Sequence, residues 1–131
     1  MNMEWISAVG PIEGASIHAL GLPNAIGSFK KAPFDTLEDT MRGTRGIMLD
    51  MYRQPDKLLS ALDRLVPIAT EMGMSGATAG DNPFVFIPLH KGADGFISDK
   101  DFKKFYWPTL KAVLLGLIEA GTIPYLFVEG D

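Results

Sequence analysis

The sequence predicts an α/β fold built on a parallel sheet. Two continuous apolar runs of strand length, Phe84–Ile87 and Ile123–Val128, are the first observation. The second is helical periodicity ahead of and between them, best seen after Pro55 and after Ser98. The third is a shorter apolar run, Asn24–Phe29, which adds a candidate strand at the front. Strand, helix, strand, helix, strand, with strands apolar throughout rather than alternating, is the pattern of parallel strands joined by crossover helices and covered on both faces.

Each element has local reasons. Glu4–Leu20 is apolar but interrupted by Gly10, Pro11 and Gly14, and reads as the end of a helix running into a loop. Gly21-Leu22-Pro23 opens the first strand. Pro33 suits the loop before a helix or its first turn, because its φ is preset and its N–H is missing. Asp35 or Thr36 is placed to cap a segment Leu37–Arg42; Gly43 breaks it, and Thr44 restarts a helix to about Tyr52. Pro55 and Asp56 suit a helix start, and Leu58, Leu59, Leu62, Leu65, Val66, Ala69 and Met72 repeat at helical spacing. Pro67 is expected to kink that helix, Gly73 to end it, and 76–82 to be a loop. Ser98 with Asp101 resembles a capping box with a shortened acid. The next helix shows Phe102, Phe105, Tyr106, Leu110, Val113, Leu114, Leu117 and Ile118 on one broad face, with a kink expected at Pro108 and a stop at Gly121.

Composition narrows the function classes. With 131 residues, 47% of them hydrophobic and 21% charged, the chain is long enough for a single domain with its own core. It has no cysteine, hence no disulfide, thiolate metal site or cysteine nucleophile. A net charge of −4 offers no basic field for nucleic acid or an anionic membrane. The first ten residues lack the basic start and apolar centre of a signal peptide, and the longest apolar runs, such as Ala112–Ile118, fall well short of the ~20 residues a membrane span needs. A cytoplasmic protein is expected. Three strands also leave two apolar edges and a last strand with no helix after it, so residues 1–131 are expected to be one partial domain from a longer chain.

Ala32-Pro33-Phe34-Asp35-Thr36-Leu37, Arg42-Gly43-Thr44-Arg45-Gly46 and Asp50-Met51-Tyr52-Arg53-Gln54-Pro55-Asp56-Lys57 together resemble the uroporphyrinogen decarboxylase family. So does 91–99, Lys-Gly-Ala-Asp-Gly-Phe-Ile-Ser-Asp, followed by Phe102, Phe105, Tyr106, Trp107 and Pro108. The resemblance runs over most of the chain, strongest from Gly21 onward. It implies a TIM (β/α)8 barrel of which this chain supplies about three parallel strands with their helices. It also implies a parent enzyme that is a carboxy-lyase acting on a polycarboxylated tetrapyrrole, with neither metal nor organic cofactor. The alternative within the resemblance is a corrinoid-dependent methyltransferase whose zinc-activated thiol chemistry, with corrinoid and zinc, resides in the full-length parent. A third reading is a catalytically silent fragment. Where the family motif carries a tyrosine this chain has Asp39, and a carboxylate there repels the carboxylates of a substrate.

In a TIM barrel the functional side chains stand on loops after the C-terminal ends of strands. That rule selects Lys30, Lys31, Phe34 and Asp35, then Leu89, His90 and Lys91, then Glu129 and Asp131. His90 is the candidate acid or base, or else a loop histidine bonded to a backbone carbonyl. Asp35 and Asp39, four apart, share a helix face and can divide acid and base work between them; the alternative is a cap at Asp35 and an Asp39–Arg42 ion pair. Phe34, Lys91 and Glu129 are the candidate substrate contacts, with Lys91 alternatively a solvated loop charge. Arg42 and Arg45 are expected to pair with Asp39, Asp50 or Glu38, and Arg53 to neutralise a helix end. A small-molecule substrate is the expected partner, with self-association through the open strand edges.

Overall fold

A computed structural model of the chain describes residues 3–22, 24–93 and 95–128. Helix α1 (Met3–Leu20) comes first, then the short strand β1 (Ser28–Phe29) and helix α2 (Pro33–Leu37). A π-turn over Glu38–Arg42 leads into α3 (Gly43–Arg53) and the long α4 (Pro55–Ala79). Strand β2 (Phe84–Leu89) is followed by the single turn α5 (Asp99–Asp101), a second π-turn over Phe102–Tyr106, α6 (Trp107–Glu119) and β3 (Ile123–Val128). The strands form one parallel sheet in the order β1-β2-β3, with Phe29 beside Phe86 and Phe86 beside Tyr125. The α/β class with a three-stranded parallel sheet is therefore present.

Several boundaries differ from the sequence expectations. Residues 3–20 are helical throughout, with Pro11 inside, rather than a helix end and a loop. The first strand is limited to Ser28–Phe29. Pro33 opens α2 beside an N-cap, Ala32, that has no side-chain cap, so neither Asp35 nor Thr36 caps the segment. Gly43, at φ +65°, does mark the break before α3, a conformation that costs glycine least.

Gly73 does not stop α4, which passes it and Pro67 and runs to Ala79. Its reason is close packing: a Cβ at Gly73 would come within 2.7 Å of Leu117 Cδ2, and one at Gly76 would collide with Ser28. These two glycines let α4 lie against α6 and β1, so the loop is confined to 80–83. Pro108 stands in the first turn of α6, directly after the second π-turn, where its missing N–H costs little. Ser98 caps as expected: its Oγ accepts the Asp101 N–H at 3.1 Å and donates to the Asp101 carboxylate at 2.7 Å.

The core lies between the sheet and its helices. Val85, Ile87 and Leu89 of β2 join Leu58, Leu62, Leu110, Val113 and Leu117 in one buried cluster, each side chain contributing roughly 1.5–3 kcal/mol. Coverage of both sheet faces is not what the structure shows. Ser28 and Val85 face α4, so strand alternation turns Phe29, Phe84 and Phe86 the other way, with Tyr125 and Phe127 of β3. On that second face Phe86 lies 5.1 Å from Tyr125, 6.0 Å from Phe29 and 6.3 Å from Phe127, ring centre to ring centre. Crossovers of one hand between strands taken in sequence order put their helices on one side, which accounts for the asymmetry. Among the described residues no helix is long and apolar enough to cross a membrane.

Candidate functional site

Two loops meet at the C-terminal ends of β1 and β2. The first carries Lys30 and Lys31 and enters α2; the second carries His90 and Lys91. Parallel strands present their C-terminal ends as the usual location for a ligand site.

Asp35 ties the two loops together. It has no exposed surface, and its carboxylate accepts three donors: the His90 N–H at 3.0 Å, the Lys91 N–H at 3.0 Å and the Tyr106 hydroxyl at 2.6 Å. Burial raises its pKa, against the pull of the Tyr106 hydroxyl and the two backbone donors. Burial also raises the Tyr106 pKa, with the Asp35 charge adding to it. Phe34, equally buried, packs its ring 5.5 Å from that of Tyr106. Phe34 and Asp35 thus stand behind the site, not on its surface, and their observed contacts position the loop that bears His90 and Lys91.

Asp39 has the opposite setting. Both aspartates address the same residue, Asp35 the His90 N–H and Asp39 the His90 ring, but Asp39 is exposed where Asp35 is buried. Asp39 Oδ2 receives Lys31 Nζ at 2.5 Å and faces His90 Nδ1 at 3.4 Å. The Glu38 carboxyl beside it, with Lys31 and His90, outweighs burial and holds its pKa down at about 2. The expected Asp39–Arg42 ion pair is absent. Arg42 instead forks onto Asp50, Nε to Oδ2 at 2.6 Å and Nη2 to Oδ1 at 3.0 Å, with Gln54 adding a bond at 2.7 Å. That pair is one of the alternatives read from the sequence.

Glu38 is the residue that sequence reasoning placed only as a possible arginine partner. It is buried, its Oε1 accepts the Thr44 hydroxyl, and its Oε2 lies 4.0 Å from Lys91 Nζ. Burial first, then the bond to Asp39, raises its pKa. Glu38 stands four residues after the buried Phe34 and three after the buried Asp35, a helical spacing that is the signal for its inward placement. Lys91 also lies over the Phe96 ring at 4.8 Å.

The cluster of Lys31, Glu38, Asp39, His90 and Lys91 can bind a small charged group and exchange a proton with it. Glu129 and Asp131, expected after the third strand, lie outside the described residues. Zinc held by His and Cys, which the methyltransferase alternative implies, does not fit this chain: it has no cysteine, and among the described residues no three His, Asp or Glu side chains gather to hold a metal ion. No protein-family model matches the chain, and neither does any curated protein or solved structure.

Proposed function

We propose that the chain is part of a uroporphyrinogen decarboxylase-like carboxy-lyase, and that its sheet is an arc of a TIM barrel. The meeting of Lys31, Asp39, His90 and Lys91 at the C-terminal ends of β1 and β2 is the observation that carries the proposal. The sequential order of three parallel strands, helices on one face and aromatic side chains on the other, supports the arc, because a barrel interior is filled by such side chains. The shared motifs around Pro33 and Lys91 supply the substrate class, a polycarboxylated tetrapyrrole.

In this reading Lys91 receives a substrate carboxylate, and Asp39 orients Lys31 and His90. His90 manages the proton that replaces the lost carboxyl group. The repulsion expected from a carboxylate at position 39 is offset by Lys31, which neutralises Asp39 at contact distance. The protein is proposed to be cytoplasmic, to take a small-molecule substrate and not nucleic acid, and to self-associate through the β1 and β3 edges.

Release of labelled carbon dioxide from carboxyl-labelled uroporphyrinogen III by the native protein is the test. Release that falls about a hundredfold or more on His90→Gln is the expected result. Absence of any release refutes the lyase. Corrinoid-linked methyl transfer is the second reading, favoured by the departure at Asp39; methyl transfer to a thiol without carboxyl loss would establish it.

A further inference from the structure

Glu38 has a side chain only 4% exposed, and its two oxygens are unequally served. Oε1 accepts the Thr44 hydroxyl, whereas Oε2 is buried with no hydrogen-bond donor in reach, the Lys91 ammonium standing at 4.0 Å. An ionised carboxylate so placed leaves a buried oxygen unsatisfied, which proteins avoid. A protonated carboxyl makes the same group a donor, and the nearest acceptor in the chain is the charged Asp39 carboxylate on the next residue, which the opposed pKa directions of the two groups, Glu38 raised and Asp39 lowered, support. Asp39 is the member that stays charged, because Lys31 and His90 both address its Oδ2. The other charged groups of the neighbouring helices are committed elsewhere, Asp35 to the second loop and Arg42 to Asp50.

We propose that Glu38 and Asp39 form a one-proton carboxyl pair, with Glu38 holding the proton and Asp39 the charge. Glu38 is then a positioning residue that acts through Asp39. The inference rests on the reading of this cluster as a site and bears on its ligand class. With one negative charge shared by the pair, Lys31 and Lys91 outnumber it, and the cluster favours an anionic group such as a carboxylate; with both carboxyls ionised that excess vanishes.

The test is a carbon NMR titration of the full chain with labelled Asp and Glu carboxyls. The Glu38 carbon is expected to keep its protonated shift through the ordinary glutamate range, about pH 4.3, while Asp39 is already ionised. In Glu38→Gln the amide still donates to Asp39, and the step that Asp39 reports when Glu38 ionises is expected to disappear. Ionisation of Glu38 within the ordinary range overturns the proposal, as does survival of that step in Glu38→Gln. No substrate is needed, so a failed titration leaves the lyase reading standing, and an inactive lyase leaves the titration result standing.

Discussion

Asp35 and Asp39 are four residues apart and live in opposite surroundings. Asp35 is fully buried, with three donors fixed on its oxygens, two of them backbone N–H groups from a loop more than fifty residues away. Asp39 keeps about a quarter of its side chain in water and is held by an ammonium and a neighbouring carboxyl. The difference teaches that a carboxylate at the end of a parallel strand can be part of the frame or part of the chemistry. What separates the two is who donates: fixed backbone and a buried phenol in one case, movable charged side chains in the other.

The largest expected effect breaks the frame. Asp35→Ala leaves the His90 and Lys91 N–H groups and the Tyr106 hydroxyl without their acceptor inside the protein, and should cost about 3–5 kcal/mol. Urea unfolding measures it. Tyr106→Phe removes one donor to a charged acceptor and leaves the backbone pair in place, so the expected loss is about 1.5–3 kcal/mol by the same measurement. If Tyr106→Phe proves neutral, Asp35 is held by the backbone alone.

The acid limb separates the aspartates by sign. The Asp39 pKa is about 2 in the folded chain against 3.8 as the ordinary value, so its stabilisation is complete above about pH 4 and is lost as pH falls toward 2. Asp35 and Glu38 have raised values, so their contribution is complete below the ordinary carboxylate range and is lost as pH rises through their folded values. Urea midpoints followed against pH should show Asp39→Asn losing less stability than the wild type between about pH 4 and about pH 2, and a weakened Glu38 part of the limb at higher pH, because the Asp39 charge helps to raise the Glu38 pKa.

The sheet was more legible than the site. Phe84–Ile87 and Ile123–Val128 read as strands because they are short, rich in aromatic and β-branched residues, and preceded by turn residues. The positions of His90 and Lys91 followed from a rule about strand ends, and the structure does bring them beside Asp39 and Glu38. The pairing within the site was not legible. The four-residue spacing of Asp35 and Asp39 agrees with both reaching His90, but nothing in it tells that one is buried among fixed donors while the other meets water. Tyr106, expected on an apolar helix face and within the motif that carries the resemblance, bonds Asp35, which neither pattern announces. Glycines misled for a related reason: a residue that usually ends helices serves at Gly73 to admit Leu117.

The smallest expected effect is the most discriminating. Lys31 and Asp39 are both partly exposed, 29% and 23% at their side chains, so an ion pair between them gains little over hydration. Lys31→Met should therefore change stability by less than about 1 kcal/mol, and added salt should shrink even that, as screening does for exposed charges. Its effect on a substrate should be much larger than its effect on folding. Without the ammonium, Asp39 turns an uncompensated charge toward any carboxylate that approaches Lys91, and carboxylate binding should weaken far more than unfolding does. Calorimetric titration with a tetrapyrrole carboxylate, set beside urea unfolding of the same variant, measures both. Were Lys31→Met to cost several kcal/mol of stability instead, Asp39 would belong to the frame as Asp35 does, and the distinction between the two aspartates, with the site built on it, would fall.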